Sequence, residues 1–318
     1  MSELRWHPLL REWVGVASVR QNRPQLPQTW CPFCPGSGRV PEQYDVFLYP
    51  NDFSALGRDN DPFTPEAAAK PFGATGAQGS CDVILYSPNH TLLPSQLSAG
   101  HWRKVIELWT SRTAEMFADP LIQHVYVFEN TGVAIGVTMP HPHGQIYSFP
   151  FVPPLVQREL DGAKAHFDAT GENLFQVLLK GELQDGRRIV AQNEDFVAFV
   201  PFAARFPREM QIYPRRQVTT LMELTDEEKN SLASLVKIVR MKYDGLFGFA
   251  MPLMMTVRQR PAKGEHPYYL LHVEFMPIQR SATKLKYLAT VETGAGTFLN
   301  DTVAENVAAE LRAIAPAT

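Results

Sequence analysis

The same succession of elements is written twice along this chain, and that repetition constrains the fold more than any single motif. Strands are expected over Tyr44–Tyr49 and Cys81–Tyr86, a helix over Leu97–Phe117, a strand over His124–Glu129 and an alternating segment after His143. The second half repeats the order, with strands at Phe196–Val200 and Met210–Tyr213, a helix to about Tyr243, and strands at Leu253–Val257 and Leu270–Phe275. Both helices are readable from their spacing. Leu97, Val105, Ile106, Trp109 and Met116 recur at helical intervals behind a possible Ser98 cap, and Leu232, Leu235, Val236 and Val239 follow a Thr225/Glu228 capping box. With 318 residues there is room for two repeats of about 150 each, an α+β chain. The repeats are set at 1–170 and 171–318, and a terminal helix is expected over Val303–Ile314.

Composition narrows what such a chain can do. Hydrophobic residues make up 45% and charged residues 20%, a globular profile, and the formal net charge of −3 gives no positive field for nucleic acid. No apolar run approaches the ~18 residues of a membrane span. The first residues, Met1-Ser2-Glu3-Leu4-Arg5-Trp6-His7, carry no apolar signal core, so the expected compartment is the cytoplasm.

The chemistry is concentrated in the run from Phe128-Glu129-Asn130 through Met139-Pro140-His141-Pro142-His143-Gly144-Gln145. Proline holds its own φ and pushes the preceding residue toward an extended conformation. Residues two apart in an extended chain share a side, so His141, His143 and Gln145 are expected on one face. A neutral imidazole can ligate a metal, act as a base, or attack an electrophile and carry a covalent intermediate. Gln145 offers an amide donor with no titrating proton, suited to steadying a phosphate oxygen beside a nucleophilic ring. Gly132, Gly136 and Thr138 leave backbone N–H groups open to phosphate. The plain alternative for a His-x-His pair is a surface loop without a role.

Other candidates carry two readings each. Arg20 and Arg23 on one turn fit either a phosphate fork or a solvated basic turn. Cys31-Pro32-Phe33-Cys34 fits half a metal site or a redox pair, and a metal there needs two further ligands. His90 and His141 are the candidates, although His90 alone would read as a capping or core histidine. Asn51 and Asp52 can close a turn or meet a ligand. Residues 58–79, rich in Gly, Pro and Ala without periodicity, read as a long mobile loop. Cys81 reads as a packed strand residue.

Phe-Glu-Asn, a glycine-rich loop and His-Pro-His-x-Gln together resemble the active-site segment of the galactose-1-phosphate uridylyltransferases, a branch of the histidine-triad superfamily. The triad hydrolases place a third histidine where this chain has Gln145. The resemblance spans nearly the whole chain and implies two histidine-triad-like repeats, each an antiparallel sheet with a long helix, forming one half-barrel-like unit. It implies uridylyl transfer from UDP-glucose to galactose 1-phosphate through a nucleotidyl-histidine on His143, with Gln145 beside it. It further implies diphosphate contacts from Arg20 and Arg23, nucleoside contacts from Asn51 and Asp52, and a loop held by Asn130. Structural zinc on Cys31, Cys34, His90 and His141 follows from the same match. So does a sugar-phosphate segment reaching the neighbouring subunit of a homodimer, with Lys286, Tyr287 and Glu292 at the matching positions. A second divalent metal would use Glu159 and His272. His272-Val273-Glu274 is expected where His141-Pro142-His143 stands, so Glu274 replaces the nucleophile and the second repeat is silent. The near alternative is a phosphorylase or adenylyltransferase acting on ADP-glucose or a dinucleoside polyphosphate. The alternative outside catalysis is a zinc-dependent binding module.

Overall fold

The computed structural model describes residues 2–22 and 30–315. In chain order the strands are β1 Glu3–His7, β2 Glu12–Val16, β3 Phe47–Pro50, β4 Ala74–Gly76, β5 Ser80–Leu85, β6 His124–Thr131, β7 His143–Phe149, β8 Ile189–Gln192, β9 Phe196–Phe199, β10 Met210–Pro214, β11 Leu253–Arg258, β12 His272–Pro277, and the short ribbon β13 Gln279–Ser281 with β14 Lys284–Leu285. The helices are α1 Ala99–Phe117, α2 Pro154–Thr170, α3 Leu174–Asp185, α4 Asp226–Phe247, the single turn α5 Thr290–Thr293, and α6 Ala304–Ala313.

Nine strands form one antiparallel sheet in the order β3-β5-β7-β6-β11-β12-β10-β9-β8. The repeat is visible in that order. From the centre outward the first half runs β6-β7-β5-β3 and the second runs β11-β12-β10-β9. The halves join where β6 pairs β11, with Val127 opposite Val257. Both long helices cover one face of this sheet. Trp102, Ile106 and Trp109 of α1 and Leu235, Val236 and Val239 of α4 are all fully buried in one core with Val125, Val257 and Phe275 of the strands. Each such side chain contributes about 1.5–3 kcal/mol relative to exposure.

The helix signals read from sequence are the ones that operate. Ser98 accepts from the His101 N–H at the start of α1, and Thr225 and Glu228 form the reciprocal capping box of α4. On the other face, α2 and α3 pack Val156, Leu160, Phe175 and Leu179 against Val197, Phe199 and Tyr213. A small sheet, β2-β1-β4, buries Leu4 with Leu56 and Cys81.

Part of the segment expected to be a loop is ordered differently. Ala74–Gly76 pairs with β1, with Thr75 opposite Leu4. Three residues hold no alternation to read, and the pairing comes from a strand some seventy residues away. The alternation of Trp13–Val19 predicts one strand over that span, but β2 ends at Val16 and the chain turns into a short 3-10 helix, Ser18–Asn22. Among the described residues no helix is long and apolar enough to cross a membrane.

Candidate active site and metal centre

His143 opens β7, paired with Leu85 of β5, so the central sheet fixes its backbone. Its Nδ1 lies 2.7 Å from the carbonyl oxygen of His141. A carbonyl can only accept, so Nδ1 carries the hydrogen and a neutral ring keeps its lone pair on Nε2. Gly144 follows with no room for a larger residue, because a Cβ there would stand 2.2 Å from the Tyr86 hydroxyl. Gln145 lies on the same side as His143, nearly buried, with its Oε1 accepting from the Tyr147 hydroxyl at 3.0 Å. That bond assigns the carbonyl end of the amide and leaves its NH₂ as the donor end.

Two cavities meet at His143. One, ≈ 300 Å³, is lined by Trp30, Phe33, Asn51, Asp52 and Gln145; the other, ≈ 410 Å³, by Asn130, Thr131, Gly132, Val137 and Pro140; His143 borders both. Asn51 uses its Oδ1 to accept from the Phe53 N–H at 2.9 Å, so it closes the turn and also lines the cavity. The Asp52 carboxylate is held at both oxygens, by the Tyr49 hydroxyl at 2.7 Å and by the Arg39 guanidinium. Arg20 reaches the same turn by donating to the Phe53 carbonyl at 3.4 Å. Arg23 lies outside the described residues. Thr138 borders neither cavity, and its buried hydroxyl has no hydrogen-bond partner.

Lys286 and Tyr287 line a separate cavity with Arg280, Leu299 and Asp301, away from His143 of the same chain. There Lys286 donates to Glu292 at 2.7 Å and holds that carboxyl well below its ordinary range.

Behind His143 the four residues expected as metal ligands converge. The Cys31, Cys34, His90 and His141 ligand atoms all lie within 4.8 Å of one another, a donor set that could hold a metal ion. Cys34 Sγ is 3.4 Å from His90 Nδ1 and 3.7 Å from His141 Nδ1, and Cys31 Sγ is 3.8 Å from His141 Nδ1. His141 turns its other nitrogen, Nε2, to the Ser87 carbonyl at 2.7 Å, which leaves Nδ1 as the lone-pair atom facing the thiols. Burial lowers its pKa to about 4, so the ring is neutral, as a ligand must be. Burial also raises the Cys31 thiol to about 11, so without a cation that thiol would stay protonated. Phe33, inside the Cys31–Cys34 turn, sets its ring 5.6 Å from that of His143. The turn therefore touches the nucleophile candidate as well as carrying the thiols. Phe33, Arg39, Tyr44 and Tyr49 carry no sequence signal of their own. Only the fold brings them to this place.

The other expected metal pair also meets. Glu159, from α2, and His272 converge with Glu274. The alignment between halves read from sequence needs correction, however. His272 opens β12 as His143 opens β7, and its Nδ1 bonds the carbonyl two residues back, Leu270, at 2.9 Å, just as His143 bonds His141. His272 thus stands in the place of His143, Glu274 in that of Gln145, and Leu270 in that of His141. The similar His-x-His and His-x-Glu spellings misled by one alternate step of the strand.

Comparison with known proteins decides the family. The model of the galactose-1-phosphate uridyl transferase N-terminal domain matches residues 1–153, and that of the C-terminal domain residues 159–317. The chain belongs to the galactose-1-phosphate uridylyltransferase family. Transferases of this family that resemble it include the galactose-1-phosphate uridylyltransferase of Thermotoga maritima, 37% identical over 98% of both chains. That of Haemophilus influenzae is 34% identical over 98% of this chain and 93% of its own. A solved uridylyltransferase superposes with a TM-score of 0.89 at 32% identity, over 98% of each chain. An ADP-glucose phosphorylase from Arabidopsis thaliana, solved with bound ADP-glucose, gives 0.78 at 25% identity over 99% of each. Family membership rests on the uridylyltransferase matches, and the fold is shared with both structures over nearly the whole chain.

Proposed function

We propose that this enzyme moves UMP from UDP-glucose to galactose 1-phosphate in two steps through His143. In the first, His143 Nε2 attacks the α-phosphorus, a P–N bond forms, and the bond to the oxygen of glucose 1-phosphate breaks. In the second, a phosphate oxygen of galactose 1-phosphate attacks the same phosphorus and the P–N bond breaks, which restores the imidazole. The leaving group of each step is a sugar phosphate and needs no added proton. The NH₂ of Gln145 steadies a non-bridging oxygen at phosphorus. The observation carrying this reading is that His143 borders two cavities at once with its tautomer already fixed. Asn51 and Asp52 line the one assigned to the nucleoside, and Asn130 the one assigned to the sugar phosphate. Arg20 and Arg23 are assigned to the diphosphate.

The halves 1–170 and 171–318 are the two repeats, the second catalytically silent because Glu274 stands where the amide donor should be. The separate Lys286–Tyr287–Glu292 segment fits a homodimer in which it serves the partner's site. Exchange of labelled glucose 1-phosphate into UDP-glucose tests the base and sugar together. Exchange is expected with UDP-glucose and at least tenfold less with ADP-glucose; a reversed preference would assign the chain to ADP-glucose chemistry.

The metal centre fits zinc. Bonds of about 2.3 Å to sulfur and about 2.0–2.1 Å to nitrogen give a tetrahedral S···N edge of about 3.6 Å, against the 3.4–3.8 Å found. Bound zinc would take Cys31 and Cys34 as thiolates and act as a structural pin. It would hold His141, whose carbonyl in turn holds His143. The Cys31→Ser, Cys34→Ser double variant is expected to lose its zinc and to melt at lower temperature. Metal content unchanged by elemental analysis would remove the cysteines from the ligand set.

A further inference from the structure

The second cluster already contains a cation. Arg258 ends β11 and is the register partner of His272 on β12, so both side chains emerge side by side. Its Nε lies 2.9 Å from Glu274 Oε2 and 3.8 Å from Glu159 Oε1. The other oxygen of each carboxylate is taken by a neutral donor. Tyr269 donates to Glu159 Oε2 at 2.9 Å, and Gln211 donates to Glu274 Oε1 at 3.3 Å. Beneath the guanidinium lies the Tyr126 ring, 5.7 Å from centroid to Cζ. Arg258, His272 and Glu274 are each under 5% exposed.

We infer that Arg258 takes the place of a second divalent metal: the Glu159–His272–Glu274 cluster is a metal-free ion cluster with the guanidinium as its resident cation. Three physical points carry this. A divalent ion bonding Glu274 and Glu159 would sit against a buried guanidinium with little solvent between them, so like charges would meet in a poorly screened place. Three of the four carboxylate oxygens already accept a hydrogen bond and the fourth, Glu159 Oε1, faces the guanidinium at 3.8 Å, and buried carboxylates that lose such partners carry a large desolvation cost. The four-ligand closure usual for a structural metal is also missing, since the cluster offers two carboxylates and one imidazole. The sequence conceals the substitution. Glu159 and His272 read as ligands, while Arg258 reads as an ordinary strand end.

Crystals soaked in zinc(II) or iron(II) and measured at the metal edge separate the alternatives. No anomalous peak is expected between Glu159, His272 and Glu274 in the wild-type protein or in Arg258→Lys, which keeps the charge. In Arg258→His, which removes the charge and adds a nitrogen, a peak is expected there. Elemental analysis should then show one more metal per chain than the wild type. A wild-type peak within bonding distance of these three residues would overturn the inference on its own, whatever the variants do. So would an Arg258→His protein that folds and stays metal-free at this cluster. The Cys31–Cys34 centre is read in the same maps, so failure of the zinc assignment is seen separately.

Discussion

His143→Gly is expected to lose transfer between UDP-glucose and galactose 1-phosphate by at least about 10⁴-fold, the scale seen when a covalent nucleophile is deleted. The fold should survive, because the side chain is only half-buried and the backbone bonds of β7 remain. The loss should appear in kcat and not as a change of substrate affinity alone, since both cavities keep their other walls. Retained transfer at the wild-type rate without added imidazole would remove the covalent route and leave direct displacement between the two sugar phosphates. Gln145→Ala is the milder companion. It withdraws one donor from the phosphorus and leaves the nucleophile in place.

The second large effect concerns stability at the seam between the repeats. Arg240 of α4 and Glu129 of β6 form an ion pair at 3.0 Å, each only 1% exposed. Thr131 joins them, donating to Glu129 at 2.5 Å and accepting from Arg240 at 3.1 Å. Removing one partner leaves an uncompensated buried charge, which costs about 3–5 kcal/mol. A fold of this kind has only about 5–15 kcal/mol in hand. Arg240→Met is therefore expected to lower the urea midpoint sharply, and Glu129→Met with Arg240→Met to recover much of the loss. A single variant within about 1 kcal/mol of the wild type would show that the pair is not sealed from water. Because Asn130 is the next residue on β6, the single variant should also lower activity in the fraction that stays folded.

How much of this was legible in the sequence follows from where the information lies. The long helices were readable because caps and helical spacing are local: Ser98, Thr225 and Glu228 announce themselves. The His141–Gln145 face was readable because proline and strand alternation act over a few residues, whereas the Cys31, Cys34, His90 and His141 set spans more than a hundred residues and was named through the family resemblance. Strand β4 and helices α2 and α3 were not read from sequence. The first has only three residues, and α2 owes its place to packing Val156 and Leu160 under the second half of the sheet. The partners that refine the site come from distant turns. Tyr49 and Arg39 fix Asp52, and Tyr44 lies 3.3 Å from His141 Nε2. The misplaced correspondence between His272 and His143 has the same origin. Two strands can be slid by two residues without changing which face is apolar, and only the shared Nδ1-to-carbonyl bond fixes the register.

The measurement that bears most directly on the covalent route is mass analysis of the protein mixed with UDP-glucose alone, quenched in alkali. The expected result is a mass gain of one uridylyl group, carried by the peptide containing His143, stable in base, lost in acid, and absent from His143→Gly. An unmodified His143 peptide under conditions where glucose 1-phosphate exchange proceeds would contradict a nucleotidyl-histidine and with it the function assigned to this ring.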